Sequence, residues 1–212
     1  MEKRKLNRPG TALYPKGKQR VEKILKAAKD ILIEMGYSGL TMRNIAKRAG
    51  TTVGNLQYYY PNKDRLLQEL LEYAVHGFFE HFESIVEDMH KKPEDKLRAY
   101  IECIFDAFPN EEKGKFYPEF WALSNHDTKA AELMENMYER GMVTLTSIIH
   151  EINPALSRKE VKDIAITIAG SVEGLVVFVG YKRPWADSLN SVRRKSVEAC
   201  VYLAKSGGRP RK

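Results

Sequence analysis

The sequence predicts an all-α protein. Apolar residues recur at helical spacing through most of its 212 residues, proline, glycine and capping residues punctuate those runs at helix-length intervals, and no stretch alternates apolar and polar residues as a strand does. The composition is 43% hydrophobic and 30% charged, that of an ordinary globular chain, long enough for one sizeable core or a small domain beside a larger one.

Residues 1–19 hold Pro9, Gly10, Pro15 and Gly17 among basic side chains and read as a flexible arm. Val21, Ile24, Leu25, Ala28, Ile31, Leu32 and Met35 then mark a helix that ends at Gly36. Thr41 is placed to N-cap a short second helix, MRNIAKRA, closed by Gly50, and Thr51-Thr52 to cap a third, VGNLQYYY, which must stop near Pro61. Asn62 caps a longer helix from about Lys63, bearing Leu66, Leu67, Leu70 and Leu71, and Val75, Phe78, Phe79 and Phe82 extend its apolar face.

Pro93 opens the next helix, which runs to Pro109. NEEKGK reads as a loop before FYPEFWAL, and a helix follows from Thr128 to Ile152. Ser157 with Glu160 forms a capping box for a helix reaching about Gly180, YKRPWADS is a loop, and a last helix spans Leu189–Lys205.

Composition limits function. The two cysteines, Cys103 and Cys200, have no CxxC spacing, which argues against a disulfide framework or structural zinc and fits a reducing, cytoplasmic setting. No His, Cys and Asp cluster has metal-ligand spacing, so neither metal nor cofactor is expected. The N-terminus lacks a signal-peptide apolar core, and Ile164 to Gly180, the most apolar run, is short for a membrane span and contains Glu173.

The net charge is +7, and it is uneven. Residues 1–20 carry seven basic side chains against one acidic, and residues 205–212 add four more, so the body between them is net negative. A basic arm on an acidic body suits a polyanion-binding end, and equally a pair of solubilising tails.

The two short helices joined at Ala-Gly-Thr-Thr have the layout of a helix-turn-helix, with small Ala46 and Ala49 at the crossing and Gly50 in the turn. With the run TMRNIAKRAGTTVGNLQYYYPNKDRLL and the preceding MGYSGLT, residues 20–67 resemble the DNA-binding domain of the TetR family of transcriptional regulators. The resemblance implies DNA contacts at Thr41, Arg43, Thr52, Val53, Gly54, Asn55, Gln57, Tyr58, Tyr59 and Lys63.

Chemistry suits those positions. Arg43 fits guanine or a phosphate, Asn55 and Gln57 fit adenine, Gly54 admits close backbone approach, and Lys63 with the tyrosine hydroxyls fits phosphates. Gln57 and Tyr59 depart from the family's usual residues. Val53 is open between two directions, inward with Leu56 and Tyr60 by helical period or toward DNA by resemblance. The arm has two readings as well, a minor-groove contact or an unstructured leader.

The resemblance implies that residues 68–205 form a ligand-binding and dimerisation domain, and 206–212 read as a basic tail. Its layout is similar to the choline-responsive repressors of the family, although the ligand is not carried over. Homodimerisation is expected through helices 160–180 and 189–205, facing an inverted-repeat operator on double-stranded DNA. Phe82, Phe105, Phe108, Tyr117, Phe120, Trp121 and Glu173 are candidates for a pocket holding an unknown small-molecule effector, although aromatic stripes more often form core. Glu173 has three readings, a partner across the dimer, a ligand contact or a route to solvent.

The leading expectation is a homodimeric repressor released from a palindromic operator by a small molecule, with no membrane association. Two other classes are weighed. An all-α enzyme lacks any acid/base or nucleophile constellation in the sequence, and a non-specific architectural DNA binder would depend on the basic tails.

Overall fold

The computed structural model describes residues 15–86 and 92–208, and for 76–86 the backbone alone. Every regular element among them is helical. The arm up to residue 14, the tail from 209 and the side chains of Phe78, Phe79 and Phe82 lie outside the described residues.

The chain forms two compact units, one of Met1–Gly77 with Lys115–Met134, the other of Phe78–Gly114 with Glu135–Lys212. These units are defined by packing alone.

In the first unit, α1 (Pro15–Gly39) buries Val21, Ile24, Leu25, Ala28, Ile31 and Leu32. The arm reading fails for residues 15–19, which are helical: proline's fixed φ and missing N–H are harmless in a helix's first turn. Helical geometry breaks where expected, at Gly36, whose φ of 66° lies in the left-handed region. Short helices α2 (Met42–Arg48) and α3 (Val53–Tyr59) follow, and then α4 (Lys63–Val86). The expected caps form, since Thr41, Thr52 and Asn62 accept from the backbone N–H groups of Asn44, Asn55 and Arg65 at 3.2, 3.1 and 3.0 Å.

The NEEKGK loop reading is overturned. Helix α6 (Glu111–Ser124) begins there, because Asn110 accepts from the Lys113 N–H at 2.9 Å, and Glu111 and Glu112 lie in its first turn. Pro118 gives up one intrahelical bond without ending the helix.

The second unit's core joins α5 (Pro93–Asp106), α7 (Thr128–Ile152), α8 (Arg158–Gly174), the four-residue α9 (Val176–Val179) and α10 (Leu189–Ser206) through Leu97, Phe105, Leu145, Ile149, Ile168 and Val201. The Ser157–Glu160 capping box is present. The expected continuous helix to Gly180 is interrupted, because Leu175 tightens the last turn by donating to the Val172 carbonyl at 3.1 Å. YKRPWADS is a loop that closes on a 3₁₀ turn, Ala186–Ser188.

Candidate nucleic-acid interface and effector-binding groups

Helix α2 presses Ile45 and Ala46 into the core and leaves Thr41 and Arg43 exposed. The turn after it depends on Gly50, at φ 62°, while the Thr51 N–H reaches back to the Ala46 carbonyl at 2.9 Å. A fork of two bonds, at 2.9 and 2.6 Å, ties Arg48 on α2 to Glu34 on α1 and holds that carboxyl below its ordinary value.

Helix α3 has two distinct sides. Leu56 and the capping residue Tyr60 are fully buried, whereas Thr52, Val53, Gly54, Asn55, Gln57 and Tyr58 are exposed and Tyr59 is half-buried. Val53, open between two directions in the sequence, is 37% exposed and lies away from the core. The rings of Tyr58 and Tyr59 meet edge to face at 5.3 Å, each restraining the other. Thr51 donates its hydroxyl to the Asn55 side-chain oxygen at 2.8 Å, which fixes the amide's orientation while its NH₂ keeps both donors.

Arg20, Lys47, Gly50, Thr51, Thr52 and Asn55 line an open cleft beside this surface. Sequence reading did not place Arg20 and Lys47 beside this surface. Their charge was visible, but only the turn at Gly50 brings α1 and α2 cations to the start of α3. Lys63 opens α4 with its ammonium 3.7 Å from the centre of the Tyr37 ring. Beneath α3, burial and the charge of Glu69 push the Tyr60 phenol's ionisation far up.

The aromatic candidates fall into two groups. Phe105 and Phe108 are buried in the second unit's core, their rings 5.0 Å apart. Phe120 is buried in the first unit, where Tyr117 and Trp121 are half-buried.

Glu173 lies on α8 in the second unit. Tyr138 donates its hydroxyl to the Glu173 carboxylate at 2.7 Å, and burial raises the carboxyl above its ordinary 4.5. Tyr100, whose hydroxyl donates to the Gly141 carbonyl at 3.3 Å, lies within range of Glu173's charge. A half-buried carboxylate beside two phenols is suited to an organic cation. Sequence reading found Glu173 but not Tyr138, because their meeting depends on how α7 and α8 pack.

Burial pushes the Cys103 and Cys200 thiols up to about 11, so both stay protonated near neutrality. Among the described residues no group of three His, Cys, Asp or Glu side chains is placed to hold a metal, and no helix is long and apolar enough to cross a membrane.

Residues 24–70 match the bacterial regulatory proteins of the tetR family, and residues 93–201 match the C-terminal domain of BetI-type transcriptional repressors. The chain belongs to the TetR family, with a BetI-type C-terminal domain. It is 27% identical over 157 residues to the HTH-type transcriptional regulator BetI of Stenotrophomonas maltophilia, covering 74% of this chain and 79% of that protein. BetI 1 of Chromohalobacter salexigens is 24% identical over 157 residues, covering 74% and 76%.

Solved structures share the fold at low identity. A transcriptional regulator from Saccharomonospora viridis, solved in complex with choline, has a TM-score of 0.72 at 18% identity, covering 85% of this chain and 96% of its own. The ketosteroid regulator KstR2 of Mycobacterium tuberculosis has a TM-score of 0.65 at 19% identity, covering 86% and 93%. This TetR-family chain is thus a DNA-binding transcriptional regulator.

Proposed function

We propose that the protein is a homodimeric, cytoplasmic repressor that reads an inverted-repeat operator through α3 and leaves it when a small organic cation binds in the second unit. It acts by binding and not by catalysis. Residues 20–67 carry DNA recognition, and 68–205 carry effector binding and dimerisation.

The observation that carries the reading is the two-sided α3, anchored by Leu56 and Tyr60 and exposing Val53, Asn55, Gln57 and Tyr58. Such a helix holds base-reading groups at a fixed pitch for a major groove. Thr41, Arg43, Thr52 and Gly54 extend that surface, and Tyr59 and Lys63 add phosphate contacts. For the effector, Glu173, with the Tyr138 hydroxyl on its carboxylate and Tyr100 within range of its charge, offers a negative group to a quaternary ammonium, the class to which the choline of the S. viridis regulator belongs.

Selecting bound duplexes from a random DNA library tests operator recognition, and an enriched inverted repeat is expected. Asn55→Ala should then alter preference at particular bases. Choline added to the complex should release the operator, and by linkage the operator should weaken choline binding equally. Recovery of no palindrome overturns the operator reading, and failure of choline and related ammonium compounds to bind overturns the effector reading.

Dimerisation is supported by apolar side chains exposed on the last helices of this single chain. Ile166 on α8, Val177 and Phe178 at α9 and Tyr202 on α10 are each more than two-fifths exposed. Positions Gly170 and Gly174 on α8 face open space, which permits close approach of another helix. Ile166→Glu, which puts a charge on that face, should convert dimer to monomer in sedimentation velocity, and an unchanged dimer places the interface elsewhere.

A further inference from the structure

The contact between Lys63 and Tyr37 joins the end of α1 to the beginning of α4. The Lys63 ammonium sits 3.7 Å from the ring centre, well inside the range of a cation–π contact. Both side chains are half-buried, so the pair lies at the surface with one side toward solvent.

Tyr37 is held firmly. Gly36 before it takes φ 66°, a conformation that turns the chain sharply out of α1. After it, the Leu40 N–H donates to the Tyr37 carbonyl at 3.1 Å, and Leu40 itself is fully buried. The Asn44 side-chain amide on α2 donates to the Gly39 carbonyl at 2.9 Å, which ties this turn to the helix-turn-helix. The ring is therefore a fixed support for the cation.

Lys63 has no comparable restraint of its own. It stands in the first turn of α4, where Asn62 caps the helix by accepting from Arg65 and not from Lys63. A lysine side chain free in water samples many rotamers, and that freedom is lost when it grips a phosphate. An ammonium resting on a ring presents one side to the π face and keeps N–H donors directed outward.

We infer that the Tyr37 ring is the seat that holds Lys63 ready for a DNA phosphate, making Tyr37 a positioning residue for operator binding. The inference rests on the reading of Lys63 as a phosphate contact. Tyr37 touches no base and acts only through the lysine, so its effect is the same on any sequence.

The test uses the full-length protein, with labelled duplexes of the selected operator and of mixed sequence, titrated across a salt series. Lys63→Ala should weaken binding to both duplexes and lower the salt slope by about 1. Tyr37→Leu should weaken both about two- to fivefold, the cost of ordering one freely rotating lysine side chain on binding. Tyr37→Phe keeps the π face and should bind like the native protein. Tyr37→Leu combined with Lys63→Ala should bind no worse than Lys63→Ala alone.

Thermal melts exclude a trivial folding effect, and the Phe variant controls for volume. Native affinity in Tyr37→Leu overturns the inference, as does a loss that persists at full size in the Lys63→Ala background. An unchanged salt slope in Lys63→Ala instead overturns the phosphate reading of Lys63, and the seat with it.

Discussion

Glu173→Gln is expected to weaken binding of a cationic effector by about 30-fold or more, while the unliganded protein keeps or gains stability. Removing one partner of a buried, hydrogen-bonded charge pair costs about 2 kcal/mol or more, which is about 30-fold in affinity. Glutamine keeps the shape and still accepts from Tyr138, which now bonds the carboxylate at 2.7 Å, so geometry survives and only charge is lost. Without a ligand that charge is a liability, since burial disfavours it and raises the carboxyl above 4.5.

The pH dependence has a definite sign. The folded protein binds the Glu173 proton more tightly than the unfolded chain does. Stability from this group is therefore complete below the ordinary carboxylate value and is lost as pH rises through the raised folded one. A cation needs the carboxylate, so its affinity should rise across the same window. Calorimetric titration with choline and thermal melts over a pH series measure both trends, and Glu173→Gln should flatten each. Equal choline affinity in the two proteins removes Glu173 from the site.

Helix α3 was legible because its signals are local. Thr52 and Pro61 bound it within a few residues, and a 3.6-residue period separates Leu56 and Tyr60 from the tyrosines between them. Local chemistry misled at α6, where Gly114 and a run of charge suggested a loop although Asn110 and two glutamates start a helix. Val53 sits where helical period and exposure disagree, and only packing decided it. The seat of Lys63 and the partners of Glu173 were illegible for a different reason. Each joins residues from separate helices, Tyr37 with Lys63 and Glu173 with Tyr138, and no spacing in the chain encodes such a meeting.

Tyr60→Ala should cost the DNA-binding unit about 3–5 kcal/mol and abolish operator binding near the growth temperature, whereas Tyr60→Phe should cost no more than about 1 kcal/mol. Of the three tyrosines before Pro61, Tyr60 alone is fully buried, and its backbone N–H closes α3 on the Leu56 carbonyl at 2.9 Å. Alanine there empties an aromatic-sized volume at the point where α3 is fastened, and a seven-residue helix has too few bonds of its own to persist unpacked. Phenylalanine keeps the ring and removes only a hydroxyl that lies out of solvent near the charge of Glu69. Chemical denaturation followed by circular dichroism gives the two costs, and operator titration at a temperature where the Phe variant is folded gives the functional effect. A Phe variant as damaged as the Ala variant would move the anchor from the ring to the hydroxyl. Comparable operator affinity in all three proteins would mean that α3 reads DNA without needing its buried end, and the two-sided helix would then lose its place as the basis of recognition.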